Sequence, residues 1–206
     1  EAAVKAGKHT FCEKPVAVDA QGVRRVIEAA KIAKQKNISL MSGFCWRFHF
    51  PKREAFGRIN DGAIGDVTTV YNTYNTGLLW SKPREAGMTD AEYVMRNWLY
   101  YTWLSGDHIV EQAIHSIDMM SWAFGDKLPV SASGTGGRQV RVDPAFGHIY
   151  DHFAISYEYQ NGAKGFHFSR QQANCDSSYL VESIGTKGRA MVNCSKGVHE
   201  IYGSKN

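Results

Sequence analysis

His9-Thr10-Phe11-Cys12-Glu13-Lys14-Pro15 stands near the start of the chain. It reads as a short strand that stops at a Glu-Lys-Pro corner, because proline cannot donate to a sheet ladder and restricts the residue before it. Helix signals frame it on both sides. Gly7 suits the left-handed end of a preceding helix. Asp19 suits the cap of a following helix whose expected apolar side is Val23, Val26, Ile27, Ala30 and Ala33, with Arg24, Arg25, Lys31 and Lys34 toward water. Asn37 suits a left-handed stop, and Ile38-Ser39-Leu40-Met41-Ser42-Gly43-Phe44 reads as a second buried-type strand. Strand, crossover helix and strand make a βαβ unit with parallel neighbours. Pro51 opens a further helix toward Ile59, which the Gly62 and Gly65 turn ends.

From Val67 onward the pattern changes to strands. Val67 to Tyr74, Val130 to Ser133, His152 to Tyr159, Lys164 to Gln171, Ser178 to Gly185 and Arg189 to Asn193 alternate or are β-rich. Asn161-Gly162 and Gly185-Thr186-Lys187-Gly188 are turn signals, so an antiparallel sheet built of hairpins is expected. One long helix from about Gly106 to Phe124 interrupts it, and its stripe of Val110, Ile114, Ile117 and Phe124 is expected to lie on the sheet.

Composition agrees with an ordinary globular chain: 206 residues, 43% hydrophobic and 21% charged. The net charge of +4 is spread out, which argues against a nucleic-acid partner or a polybasic membrane anchor and for small-molecule chemistry. No stretch approaches the roughly 20 apolar residues of a membrane span. Cys12, Cys45, Cys175 and Cys194 form no C-x-x-C pair and read as buried free thiols.

On the long helix, Asp107, Glu111, His115 and Asp118 recur at four, four and three residues and would line one face. A carboxylate one turn before a histidine can fix its tautomer and hold it near neutrality, as a proton acceptor requires. A solvated polar face with a helical ion pair is the plainer reading. His108, Glu111 and His115 as metal ligands lack a supporting ligand elsewhere.

Lys14, on its own, reads more readily as a solvated turn residue before a proline at a strand end than as a functional one. Trp98, Tyr100, Tyr101 and Trp103 suggest either stacking against sugar faces or a core cluster. If extended, Trp98 and Tyr100 share one face and Tyr101 and Trp103 the other. Gly134-Thr135-Gly136-Gly137 and Gly185-Thr186-Lys187-Gly188 do not sit between a strand and a following helix, so both read as sheet turns rather than phosphate loops.

Taken together these pieces resemble the Gfo/Idh/MocA family of NAD(P)-dependent oxidoreductases. The likeness runs through Ala6-Gly7-Lys8-His9, Cys12-Glu13-Lys14-Pro15, Gly43-Phe44-Cys45-Trp46-Arg47-Phe48, Gly62-Ala63-Ile64-Gly65-Asp66-Val67, the helix with His115 and Asp118, and Glu182-Ser183-Ile184-Gly185-Thr186-Lys187-Gly188. The resemblance implies an α/β remnant of a Rossmann domain over residues 1–48, then an α+β domain over 49–206 with a large, mostly antiparallel open sheet and helices on one face. It implies Lys14 and His115 as catalytic residues, with Glu111 where the family commonly has an aspartate. Glu13, Lys14, Pro15 and Arg47 are expected near the cofactor, and Trp98, Tyr100, Asp107 and His108 near the substrate; no metal is expected.

The implied cofactor is NAD or NADP, the implied substrate a sugar or polyol, and the implied assembly a homo-oligomer through the sheet face. Redox-assisted glycoside cleavage and a non-catalytic oligomerisation module are the alternative functions. No Gly-x-Gly-x-x-Gly turn follows a first strand here, so on the order of 100 residues of Rossmann domain are expected to precede Glu1. The fragment alone is expected to be inactive.

Overall fold

The computed structural model describes residues 1–203; residues 204–206, at the end of the expected second unit, lie outside the described residues. The first part is the βαβ unit. After α1 (Ala2–Lys5), β1 (Thr10–Cys12) and β2 (Leu40–Ser42) pair in parallel, with Thr10 opposite Leu40, and α2 (Ala20–Gln35) crosses between them. Asp19 caps α2 by accepting from the Gly22 N–H at 2.6 Å, and Asn37 just beyond its end adopts φ 51°. The expected apolar side of α2 is only partly covered: Ala33 is buried, with Ala29 beside it, whereas Val23, Ile27 and Ala30 are exposed. Phe11 and Met41 on the two strands are exposed as well.

A 3-10 turn over Cys45–Phe48 leads into α3 (Phe50–Asn60), with Pro51 in its first turn. The larger sheet has seven strands: β3 (Val67–Thr76), β4 (Ser131–Gly137), β5 (His152–Glu158), β6 (Lys164–Gln171), β7 (Ser178–Gly185), β8 (Gly188–Asn193) and β9 (Val198–Gly203). Their spatial order is β4-β5-β6-β3-β7-β8-β9, and every pair is antiparallel except β3 with β6. Gly134 to Gly137, expected as a turn, is strand: a Cβ at Gly134 would stand 2.8 Å from the Ile155 Cα, so the close approach of β5 demands glycine. β9 was not expected.

Between β3 and β4 lie α4 (Asp90–Arg96), α5 (Thr102–Ser105), α6 (Asp107–Glu111) and α7 (Ile114–Ala123). Thr89 and Glu92 close a capping box on α4. The single helix expected over Gly106 to Phe124 is therefore broken. At the break Gln112 takes φ −114° and ψ −53°, and the Ala113 N–H reaches back five residues to the His108 carbonyl at 2.9 Å. This wide turn shifts the phase of α7 relative to α6. The residues of α7 buried against the sheet are Ser116, Met119, Met120 and Ala123, followed by Phe124, in place of the expected Val110, Ile114 and Ile117.

The main core lies between the sheet and α3 with α7. Phe56 stacks on Trp122 at 4.6 Å, Phe124 lies 4.0 Å from Tyr159, and Ile64, Val70, Met119, Val181 and Val192 close it. Each such side chain contributes about 1.5–3 kcal/mol by leaving water. A smaller cluster of Leu99, Tyr100 and Ile149 anchors the segment around α5.

Candidate active site

The Glu-Lys-Pro corner sits at the C-terminal end of β1, beside Gly43 and Phe44 at the C-terminal end of β2. In open parallel sheets, ligands bind beyond these strand ends. The Lys14-Pro15 peptide is cis. Gly43 is required by contact: a Cβ there would stand 3.1 Å from the Glu13 Cα and overlap its carboxylate.

Lys14 reaches 97 residues along the chain to α6. Its Nζ donates to the Glu111 main-chain carbonyl and, at 3.1 Å, to Glu111 Oε1, with both side chains largely buried. The carboxylate expected to orient His115 thus holds Lys14 instead, because the break at Gln112 takes Glu111 out of helical register with His115.

His115 begins α7. Phe44 meets its ring edge-on, with centroids 6.3 Å apart, and its Nδ1 is buried with no partner among the described residues. Burial, reinforced by the nearby Lys14 ammonium, pushes its pKa down to about 4. It is held neutral by desolvation, not near its ordinary value by a carboxylate. Tyr74 on β3 lies near Glu111: burial, aided by that charge, raises its phenol to about 12. Its ring lies 4.5 Å from that of Tyr179. Neither tyrosine was singled out from the sequence, although Val70, Asn72 and Tyr74 recur with the two-residue period of one strand face.

Other expected site residues fall elsewhere. Arg47 is occupied: its Nε and Nη2 bond Asp118 at 2.9 and 2.8 Å, Nη2 and Nη1 bond Asp126 at 2.6 and 3.0 Å, and its guanidinium lies 4.8 Å from the Trp122 ring. It ties the segment after β2 to α7. Burial opposes its charge, but the two aspartates more than offset this and raise its pKa.

Tyr100 is wholly buried, its hydroxyl shared by the carbonyls of Leu79 and Trp80 at 3.0 and 2.9 Å, so it has no face to offer a sugar. Trp98 packs against the same cluster. Residues 98–100 form a 3-10 turn, not an extended run, and Trp103 is the exposed aromatic.

Asp107 and His108 are buried as well. Asp107, at φ 70°, accepts the N–H groups of His108 at 2.6 Å and Tyr150 at 2.9 Å. His108 Nδ1 donates to the Tyr150 carbonyl at 3.0 Å, and Nε2 bonds the Ser169 hydroxyl at 3.1 Å. Both are spent on holding the loop before β5, and neither is free for substrate. Glu13 is exposed and Pro15 half-buried at the corner.

No cysteine is in a disulfide, but Cys45 and Cys175 are exposed rather than buried. Among the described residues no group of three or more side chains could hold a metal, and no helix is long and apolar enough to cross a membrane.

A parallel βαβ unit whose strand-end lysine docks on the helices of a seven-stranded open sheet, beside a half-buried histidine held neutral by desolvation, makes this a two-part α/β and α+β protein. The chain belongs to the GFO/IDH/MocA family: residues 53–191 match its C-terminal domain, and residues 1–44 match the oxidoreductase-family, NAD-binding Rossmann fold. It is 31% identical over 189 residues to the inositol 2-dehydrogenase of Rhizobium meliloti, covering 89% of this chain and 49% of the relative. With the 2,7-anhydro-N-acetylneuraminate hydratase of Escherichia coli it shares 24% identity over 93% of this chain and 46% of the relative. The aldose-aldose oxidoreductase of Caulobacter crescentus has the same fold, with a TM-score of 0.71 and 24% identity over 99% of this chain and 58% of that one. The chain spans about half the length of the curated relatives it matches.

Proposed function

We propose that this chain carries the substrate side of an NAD(P)-dependent site that oxidises a hydroxyl carbon of a polyol or sugar, and reduces it in the reverse direction. The observation that carries the reading is the Lys14 ammonium fixed by Glu111 beside His115, at the C-terminal end of a parallel strand. The residues fit a nicotinamide there: the corner is open at Glu13, and Gly43 brings the two strand ends into contact. Glu13, Lys14 and Pro15 would hold its edge. The bound nicotinamide supplies the hydride acceptor.

His115, neutral at pH 7, accepts the substrate hydroxyl proton at Nε2, the ring nitrogen that is not sealed in the fold. Lys14 stabilises the alkoxide character that develops on the same oxygen, an interaction stronger in the transition state than in the ground state. Glu111 keeps Lys14 from swinging into solvent. The two parts divide near residue 48, and a second copy packs on the sheet face that carries Tyr71, Phe166 and Phe168.

Replacing His115 with Ala in the full-length enzyme is expected to lower kcat on the order of 10²–10⁴-fold while NAD(H) affinity holds. Unchanged turnover across a panel of polyols and sugars would overturn the assignment. The hydratase among the relatives favours a second reading, in which the substrate is oxidised only transiently and the cofactor is regenerated. NADH accumulates stoichiometrically in the first case and stays catalytic in the second.

A further inference from the structure

The α6–α7 corner lies between Glu111 and His115, and it is fixed from the sheet side by a buried polar chain. Gln112 follows Glu111 directly, and its main-chain carbonyl accepts the His115 N–H at 3.3 Å. Its side-chain Oε1 accepts from Gln171 Nε2 in a short bond. Gln171, at the end of β6, is fully buried, and its own Oε1 accepts from Arg141 Nη1 at 2.7 Å. Arg141 is also fully buried, donates to the Tyr150 carbonyl at 2.9 Å and lies over Tyr100 and Phe146 at 5.7 and 5.9 Å.

A primary amide suits the middle of this chain. It accepts from a cation on its oxygen and donates from its nitrogen at once, and polarisation by the guanidinium strengthens the second bond. Within α6 and α7 the corner is held by main-chain bonds, from the Gln112 and Ala113 N–H groups to the His108 carbonyl and from the His115 N–H to the Gln112 carbonyl; Gln171 adds a side-chain restraint from the sheet.

We infer that Gln171 and Gln112 are positioning residues that set the α6–α7 corner and, through it, the placement of His115 against Lys14 and Glu111. The charged and titratable groups at the site are Lys14 from the segment after β1, Glu111 on α6 and Tyr74 on β3, with Asp118, engaged by Arg47, further along α7 and His167 on β6 bonded to Ser116. Loosening the corner lets water reach His115 and separates it from Lys14.

The inference rests on the reading of His115 as proton acceptor for its effect on turnover, but not for its effect on the imidazole. The test is NMR titration of His115, with kcat and KM, in the full-length enzyme carrying Gln112→Leu, which leaves the Arg141–Gln171 bond intact and so spares the buried arginine. His115 is expected to titrate closer to its ordinary value, and kcat to fall about tenfold or more with little change in KM. Gln171→Glu should behave like the wild type, because its carboxylate pairs with Arg141 and a rotated Gln112 amide donates to it. An unmoved His115 titration in Gln112→Leu overturns the inference whatever happens to melting temperature or activity. His115→Ala turning over normally would sink the functional reading and leave this titration decisive.

Discussion

Lys14 and Glu111 bind each other twice across the boundary between the two parts of the chain, once through the carboxylate and once through the main-chain carbonyl. The second bond does not depend on the Glu111 side chain. Glu111→Gln should therefore keep Lys14 near its place while removing the countercharge, whereas Lys14→Met removes the ammonium itself. In the full-length enzyme Lys14→Met is expected to lower kcat by about 10²–10³-fold, and Glu111→Gln by much less. Steady-state kinetics of the two variants in parallel checks this ordering.

Two desolvated histidines, the half-buried His115 and the buried His167, set an acid limit on stability. Burial, then the Lys14 charge, depresses His115 to about 4, and burial, then His108, depresses His167 to about 3. In the unfolded chain both take up protons near the ordinary histidine value of about 6.5. The unfolded state thus binds more protons than the native state below that pH, and stability rises with pH there. Stability should be fully present above about pH 6.5 and should fall progressively as the pH drops toward 4 and then 3. Urea midpoints at pH 7, 5.5 and 4.5 measure the slope, and His167→Asn should make it shallower.

Arg47 binds two aspartates and an indole face at once. Arg47→Ala leaves the Asp118 carboxylate, which burial already pushes up in pKa, without its partner. The cost is expected to be about 1–3 kcal/mol by denaturant unfolding, with KM for NAD(H) unchanged. Arg47→Lys should recover only part of it, because an ammonium cannot match the forked geometry.

Gly43→Ala inserts a methyl group against Glu13 and pushes the corner away from α6. Turnover of the full-length enzyme should fall more than the melting temperature accounts for, as judged against Gly57→Ala, where a Cβ meets nothing within 4 Å.

The 206 residues contain no Gly-x-Gly-x-x-Gly turn, so calorimetry of this chain with NAD(H) should find no micromolar binding.

The βαβ unit, the hairpins at Asn161-Gly162 and Gly185 to Gly188, and the Asp19 cap were legible because each is encoded by neighbours in sequence. The motif order pointed to Lys14 and His115, and the fold brings Lys14 close enough to His115 for its charge to act on the imidazole. What was not legible is non-local. Residues 106–124 look helical throughout, and the side chain that bonds Gln112 at the break belongs to Gln171, 59 residues away. Asp107 and His108 have polar side chains suited to a site, and only the fold shows that Tyr150 and Ser169 consume them. The β4 glycines look like a loop until β5 is laid beside them.

The central position of β3 bears on how the chain comes together. β3 precedes every other strand of its sheet in synthesis, yet its parallel partner lies far downstream; Asn72 and His167, bonded at 2.5 Å, are 95 residues apart. β7, its other neighbour, comes later still. A nascent chain must therefore keep Val70 and Tyr74 from pairing wrongly until β6 has emerged, and closing so long a loop makes assembly of the two sheet halves around β3 the slow event in folding.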